Sequence, residues 1–322
     1  MLGKKSVLLD NMKRLGHSRL YGISIILFSM IAFLFIASPT FRTVQNTINV
    51  LNQVSINGII AIGMTFVIIC AGIDISVGSI IALASVVVGA VLTHGGNCFL
   101  AVVLAVMACG LVGVFNGFFI AKYNMFPFVV TIASQLIIRG LAYVISNGKS
   151  YILTDPVFKQ IGQGRLFGKI PYSILVFASV AIICYFLLSR MKYGRYLYAT
   201  GGNEHAAIAS GVNVQLIKLA TYTIMGICTG IAGVLLTSRV NAGQPAMGVG
   251  YETDAIAASV IGGVSFMGGI GSVEGTVIGV LIIGLINNGM NLMGVSSFYQ
   301  QIVKGFIILL TVMMDLKLTN KK

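Results

Sequence analysis

GMTFVIICAGIDISVGSIIALASVVVGAVL, from Gly63 to Leu92, is almost wholly apolar and yet carries an aspartate, Asp74, near its middle. A soluble core rarely holds such a run, and a single membrane helix disfavours the charge. Asp74 follows Gly72, and a helical pattern restarts at Ser76. The stretch therefore reads as two apolar helices with a break at Gly72–Gly78. Asp74 caps the second helix in this reading, accepting hydrogen bonds from its free amides and complementing its positive end. A direct place on a translocation pathway is the alternative for Asp74.

The rest of the chain supports a membrane setting. Of 322 residues, 57% are hydrophobic and only 9% are charged, against about 25% charged in a soluble domain. That leaves too little polar side chain to cover a soluble surface. Apolar runs lie near 20–38, 46–70, 76–93, 98–121, 128–147, 171–189, 215–237, 254–266, 272–291 and 298–315. Lipid admits only helices or closed barrels across its core, so the expectation is an all-α polytopic bundle of about ten transmembrane helices. Short or broken helices are expected near 72–78 and 250–266. The first run, in MLGKKSVLLDNMKRLGHSRLYGISIILFSMIAFLFIAS, is long enough to span and lacks a cleavage site, so it reads as an uncleaved first span. A weak internal repeat is suggested by AGIDISVGSIIALASVVVG (71–89) and GYETDAIAASVIGG (250–263), each with an acidic residue at a helix start.

The formal charge of +13 concentrates between apolar runs, as positive-inside topology requires, and not in a patch for nucleic acid. Lys4, Lys5, Lys13, Arg14 and Arg19 precede the first span; Arg190, Lys192 and Arg195 follow the sixth; Lys317, Lys321 and Lys322 follow the tenth. Even numbers of spans separate these clusters, which places both termini in the cytoplasm. The loop 148–170, with Lys149, Lys159, Arg165 and Lys169, dissents and is assigned outside. The organisation expected is a basic segment 1–19, with Val7, Leu8, Leu9, Met12 and Leu15 near helical spacing; one transmembrane domain 20–315; and a basic tail 316–322. Within the domain, 148–170 is extracytoplasmic and 191–213 cytoplasmic.

Catalytic signals are absent. His17, His94 and His205 are far apart, and the five cysteines (Cys70, Cys98, Cys109, Cys184, Cys228) form no CxxC. Gly148-Lys149-Ser150 ends a run in which a phosphate loop needs glycine at 143, where Tyr143 stands. GGIGSVEG places Glu274 where a dinucleotide fingerprint needs its last glycine. The chain is therefore not expected to hydrolyse nucleotide itself or to bind a cofactor.

Polar residues inside the spans are the pathway candidates: Asn57, Asn116, Gln135, Asn287, Asn288 and Asn291, besides Asp74. Amides exchange hydrogen bonds with a neutral hydroxylated solute without holding charge; interhelical bonding is the alternative for each. Glu252 and Asp254 precede the eighth run and read, with Gly72, Asp74, Ser76 and Gly78, as break or cap residues. Gly271, Gly275 and Gly279, Gly226 and Gly230, and Gly113 and Gly117 are spaced for close helix packing, within a subunit or at a moving interface.

In MKYGRYLYATGGNEHAAIASGVNV (191–214), Asn203 can cap a short helix, Glu204 sits in its first turn, and Gly211 ends it. Ala206-Ala207-x-x-x-Gly211 resembles the cytoplasmic coupling motif of ABC importer permeases. Three segments resemble the ribose-type monosaccharide permease family: GMTFVIICAGIDISVGS (63–79), YATGGNEHAAIASGVN (198–213) and YETDAIAASVIGGVSFMGGIGSVEGTVIGVLI (251–282). One departure is that His205 stands beside the two alanines, where the motif carries an acidic residue, with Glu204 one position earlier.

The resemblance implies an importer of the bacterial cytoplasmic (inner) membrane, taking a ribose-like pentose or hexose. Two membrane subunits, identical or related, would pair with two ATPase subunits that hold ATP and Mg and grip Asn203, Glu204, His205, Ala206, Ala207 and Gly211. An extracytoplasmic sugar-binding protein would deliver the substrate. The alternatives are a permease of the same type for a nucleoside or branched-chain amino acid, and a secondary transporter driven by a proton or sodium gradient. No membrane-embedded carboxylate–His or carboxylate–Lys pair for the latter is apparent in the sequence.

Overall fold

A computed structural model describes the backbone of residues 2–319 and the side chains of residues 20–313 and 315. The amphipathic spacing proposed for residues 7–15 and the basic tail at 316–322 lie outside the described side chains. In chain order the helices are α1 (Leu2–Ala37), α2 (Val44–Ile69), α3 (Val77–Thr93), α4 (Cys98–Lys122), α5 (Pro127–Ser146), α6 (Pro156–Gln163), α7 (Tyr172–Ser189), α8 (Lys192–Gly202), α9 (Glu204–Ala209), α10 (Val214–Val240), α11 (Tyr251–Ile261), α12 (Val273–Leu292) and α13 (Ser297–Thr319).

Every expected apolar run carries a helix, and seven of the helices are long and apolar enough to cross a membrane. α3 and the apolar part of α13 are shorter, and α11 has 11 residues, about 16 Å of helix against a hydrocarbon core of about 30 Å. α11 is thus a half-helix, preceded by the non-helical segment 241–250. The break after α2 falls at residues 70–76, so Gly78 lies in the first turn of α3 instead of in the break.

α2 is the axis of the bundle. Its span is 89% buried, and α7, α10, α11 and α12 pack around it. A helix buried on all sides among helices needs no polar face, which is why its apolar residues run around the whole circumference. α1, α4, α5, α7 and α13 instead leave large apolar side chains exposed, Phe28, Phe115, Leu136, Ile183 and Phe306 among them, as a lipid-facing shell requires.

Glycines set the closest contacts. On α4, Gly113 faces the Tyr222 carbonyl and Gly117 faces Leu219; on α10, Gly226 and Gly230 face Cys109. A Cβ at any of these four would strike the neighbouring helix. Gly275 and Gly279 of α12 bring that helix equally close to Gly262 and Ala258 at the end of α11, while Gly271 lies outside a helix, against Ile69 and Val264. The glycine pattern is spent on packing inside one chain.

The loop 148–170 is ordered by short pairings. β1 (Tyr151–Ile152) pairs antiparallel with β4 (Ala242–Gly243), and β2 (Arg165–Leu166) with β3 (Ile170–Pro171). The opposite loop, 191–213, is helical from its start, since α8 precedes the short helix expected at Asn203 and holds three glycines, Gly194, Gly201 and Gly202. Buried Leu197, Tyr193 Oη at 2.8 Å from Thr221 Oγ1 and Tyr198 Oη donating to the Gly271 carbonyl at 2.6 Å hold it, so tertiary contact outweighs propensity. Burial, with Glu274 nearby, pushes the Tyr198 phenol well above its ordinary value, which keeps the donated proton in place.

Candidate functional site: the helix break, the inner helix and a mid-span ion pair

The break at 70–76 is tied down by its aspartate. Fully buried Asp74 accepts from the Ser76 amide at 2.9 Å and the Ser76 hydroxyl at 2.5 Å, both through Oδ1. Asn116 Nδ2 donates to the Ser76 hydroxyl from α4 at 3.0 Å. The cap expectation is corrected in its detail. Ser76 holds the N-cap position without a side-chain cap bond, and Asp74 bonds two residues ahead in an Asx-type turn, short of the amides of α3's first turn. Asp74 Oδ2, Asn116 Oδ1 and the Tyr222 hydroxyl are buried with no hydrogen-bond partner within bonding geometry among the described residues.

The starts of α3 and α11 meet. Gly78 lies against the Gly248 carbonyl and the Glu252 carboxylate, so the two segments that echo each other in sequence place their helix starts side by side. Gly250 is the left-handed N-cap residue of α11 at φ 88°, and Glu252 Oε1 accepts its amide at 3.2 Å. Glu252 is therefore a capping residue, whereas Asp254 is not. Asp254 turns sideways into the bundle, where Lys304 Nζ lies 2.8 Å from Oδ1 and 3.1 Å from Oδ2. Asn57 and Asn287 each donate to Oδ2 at 3.4 Å. Four helices contribute to this cluster: α2, α11, α12 and α13. No membrane-embedded carboxylate–Lys pair is apparent in the sequence; Asp254 and Lys304 form one, hidden by a separation of 50 positions.

The remaining amides occupy separate places. Asn288 exchanges hydrogen bonds with Asn46 at 2.8 and 3.2 Å. Asn291 accepts from Gln300 at 2.8 Å. Gln135 on α5 takes the Ser79 hydroxyl through its backbone carbonyl at 2.8 Å. Two pairs of the pathway candidates are thus brought together, Asp74 with Asn116 through Ser76 and Asn57 with Asn287 on Asp254, while Asn288, Asn291 and Gln135 bond elsewhere.

The inner helix is built as its residues predict. Asn203 Oδ1 accepts from the Ala206 amide at 2.9 Å. At the other end Gly211, at φ +81°, closes a Schellman turn through Gly211 N–H to the Ile208 carbonyl at 2.9 Å and Val212 N–H to the Ala207 carbonyl at 3.0 Å. His205, Ala206, Ile208 and Ala209 are exposed, but Ala207 is buried. Ala207 is therefore removed from the contact surface: in a helix of under two turns one face must pack on the chain itself. Glu204 also turns inward, 2.7 Å from Lys218 Nζ on α10.

The inner helix, the break and the turn after α11 converge. Gly201, at the end of α8, packs on the Ile69 carbonyl and the Gly269 amide, and Gly269 N–H donates to that same Ile69 carbonyl at 2.8 Å. A cavity of about 430 Å³ opens beside this junction, lined by Gly72, Thr200, Asn203, Glu204, Lys218 and Tyr222 among others. α8, which leads directly into α9, thus packs on the end of α2 and on the turn that follows α11.

A family model described as branched-chain amino acid transport system / permease component matches residues 46–312. The chain belongs to this permease family. It is 44% identical over 293 residues to the ribose import permease protein RbsC of Bacillus subtilis, covering 90% of this chain and 91% of that one. It is 39% identical to the D-allose transport system permease protein AlsC of Escherichia coli, over 92% of this chain and 91% of that one. The L-arabinose ABC transporter permease protein AraH of Azospirillum brasilense is 36% identical, with 94% and 88% covered. No solved structure matches significantly. The permease is a multi-pass membrane protein and a transport subunit; Lys304, Lys218 and α8 are the parts of this arrangement that the sequence does not announce.

Proposed function

We propose that this permease is the membrane subunit of an ATP-driven importer for a monosaccharide, a ribose-like pentose or hexose, in a bacterial cytoplasmic membrane. An extracytoplasmic binding protein delivers the sugar, and a cytoplasmic ATPase that holds ATP and Mg seats on the exposed face of α9. The chain supplies the path and the linkage and no hydrolytic site. It pairs with a second membrane subunit, a copy or a relative, and keeps both termini in the cytoplasm. The observation that carries this reading is the capped, outward-facing helix α9, adjoining α8, whose Gly201 packs on the end of α2 and on the turn after α11, in a chain whose relatives, matched over most of their length, are named as ribose, allose and arabinose permeases.

The family description names branched-chain amino acids, but the relatives at 36–44% identity are named for sugars, which favours a sugar here. A gradient-driven mechanism leaves α9 without a task. The test is uptake of labelled ribose, allose and arabinose by proteoliposomes holding the permease, its ATPase and its binding protein. Uptake of at least one that requires ATP and survives collapse of the ion gradients supports the reading; uptake that follows a gradient without ATP refutes it.

A further inference from the structure

An ion pair buried half-way along a membrane bundle is costly to assemble, and such groups usually face a bundle interior with a use. Asp254 and Lys304 are such a pair, with side chains 11% and 22% exposed. Asn57 stands half-way along α2, and Asn287 lies in the second half of α12. Both amides spend their N–H groups on Asp254 Oδ2. Their carbonyl oxygens, Asn57 Oδ1 and Asn287 Oδ1, are buried and accept no hydrogen bond among the described residues. Two idle acceptors beside one carboxylate are an expense that helix packing alone does not call for. The two amide donors complete the hydrogen bonding of a buried carboxylate, but a link between α11 and α13 has no use for the two idle carbonyl oxygens.

We propose that Asp254, Lys304, Asn57 and Asn287 form a subsite that holds neighbouring hydroxyls of the sugar as it crosses the membrane. This rests on the reading of the chain as a sugar permease. A hydroxyl both donates and accepts, so one can donate to Asn57 Oδ1 or Asn287 Oδ1 while accepting from Lys304 Nζ. The pair cancels its own charge. A cation entering would meet Lys304 and an anion would meet Asp254, so the site favours a neutral polyhydroxylated solute. Lys304, the most exposed member, is the point of entry.

The experiment is sugar uptake per ATP hydrolysed in proteoliposomes of the full complex, for Asn57→Leu, Asn287→Leu and the exchange Asp254→Lys with Lys304→Asp. Each leucine keeps the branched heavy-atom shape of the amide and removes one long hydrogen bond to Asp254, so these two variants decide the matter even where the exchange fails to assemble. The subsite predicts that each leucine lowers the ratio at least tenfold, and that the exchange re-forms an ion pair without restoring the ratio. Wild-type ratios in both leucine variants, or full recovery in the exchange, reduce the cluster to a structural link and overturn the subsite. A wild-type complex that imports no monosaccharide refutes the sugar reading itself; a wild type that imports sugar, with variants that match it, refutes the subsite alone.

Discussion

Glu204 Oε1 lies 2.7 Å from Lys218 Nζ, so the only acidic side chain in the first turn of the inner helix faces its own chain. Lys218 also reaches Asn124 Oδ1, in the α4–α5 connection, at 3.5 Å. The bridge orients α9 on α10 and leaves His205, beside the alanine pair, on the exposed side. Lys218 is largely buried but Glu204 is more than a third open to solvent, so screening holds the pair to about 1 kcal/mol or less of stability, and its value is directional.

Removing the bridge therefore uncouples without unfolding. Lys218→Met and Glu204→Gln should each lower sugar uptake per ATP hydrolysed several-fold, with thermal unfolding of the purified permease shifted by no more than a degree or two. Glu204→Lys with Lys218→Glu should recover most of the ratio. The paired uptake and hydrolysis assay checks this, and equal loss in the single and double variants would remove the strut role.

Asp74 organises the break through one oxygen that takes two hydrogen bonds. Asp74→Ala strands the buried Ser76 amide and should cost about 2 kcal/mol. Asp74→Asn keeps an acceptor in the same place and should cost less than half as much. Thermal unfolding of the detergent-solubilised permease separates the two; the same loss in both would mean that charge, not the turn, is what matters.

Gly226 and Gly113 let α10 and α4 touch backbone to backbone. Gly226→Val or Gly113→Val must push the helices apart, at about 3 kcal/mol or more, and should abolish accumulation of folded permease. Gly140 on α5 and Gly22 on α1 have nothing within 4 Å of where a Cβ would stand, so Gly140→Ala and Gly22→Ala should express as wild type. Membrane yield and size-exclusion profile check both halves of the contrast.

Topology is open to direct labelling. In a background without the native cysteines, Gly168→Cys should react with a membrane-impermeant thiol reagent added outside cells. His205→Cys should react only after permeabilisation. Reversal of the two would invert the proposed orientation.

Much of this was legible in the chain. The apolar runs located the helices because lipid-facing and centrally buried helices both lack polar faces. Gly72 and Asp74 marked the break, since a charge inside such a run needs a local turn to satisfy it. Asn203 and Gly211 marked the ends of α9, because caps are local chemistry. What escaped was non-local. Lys304 finds Asp254, and Lys218 finds Glu204, only after the bundle forms. α8 is held by Tyr193, Leu197 and Tyr198 against distant segments, which its glycines do not announce. Ala207 looked equivalent to Ala206 until packing gave the short helix an inside face.

The central claim is that the exposed face of α9 carries the ATPase. Single cysteines at His205, Ala206, Ala207 and Ile208, in the assembled complex, can be tested for cross-linking to the ATPase subunit with a short bifunctional reagent. The account predicts strong cross-linking from 205, 206 and 208 that changes on ATP binding, and little from buried 207. An active complex in which none of the exposed positions cross-links would contradict it.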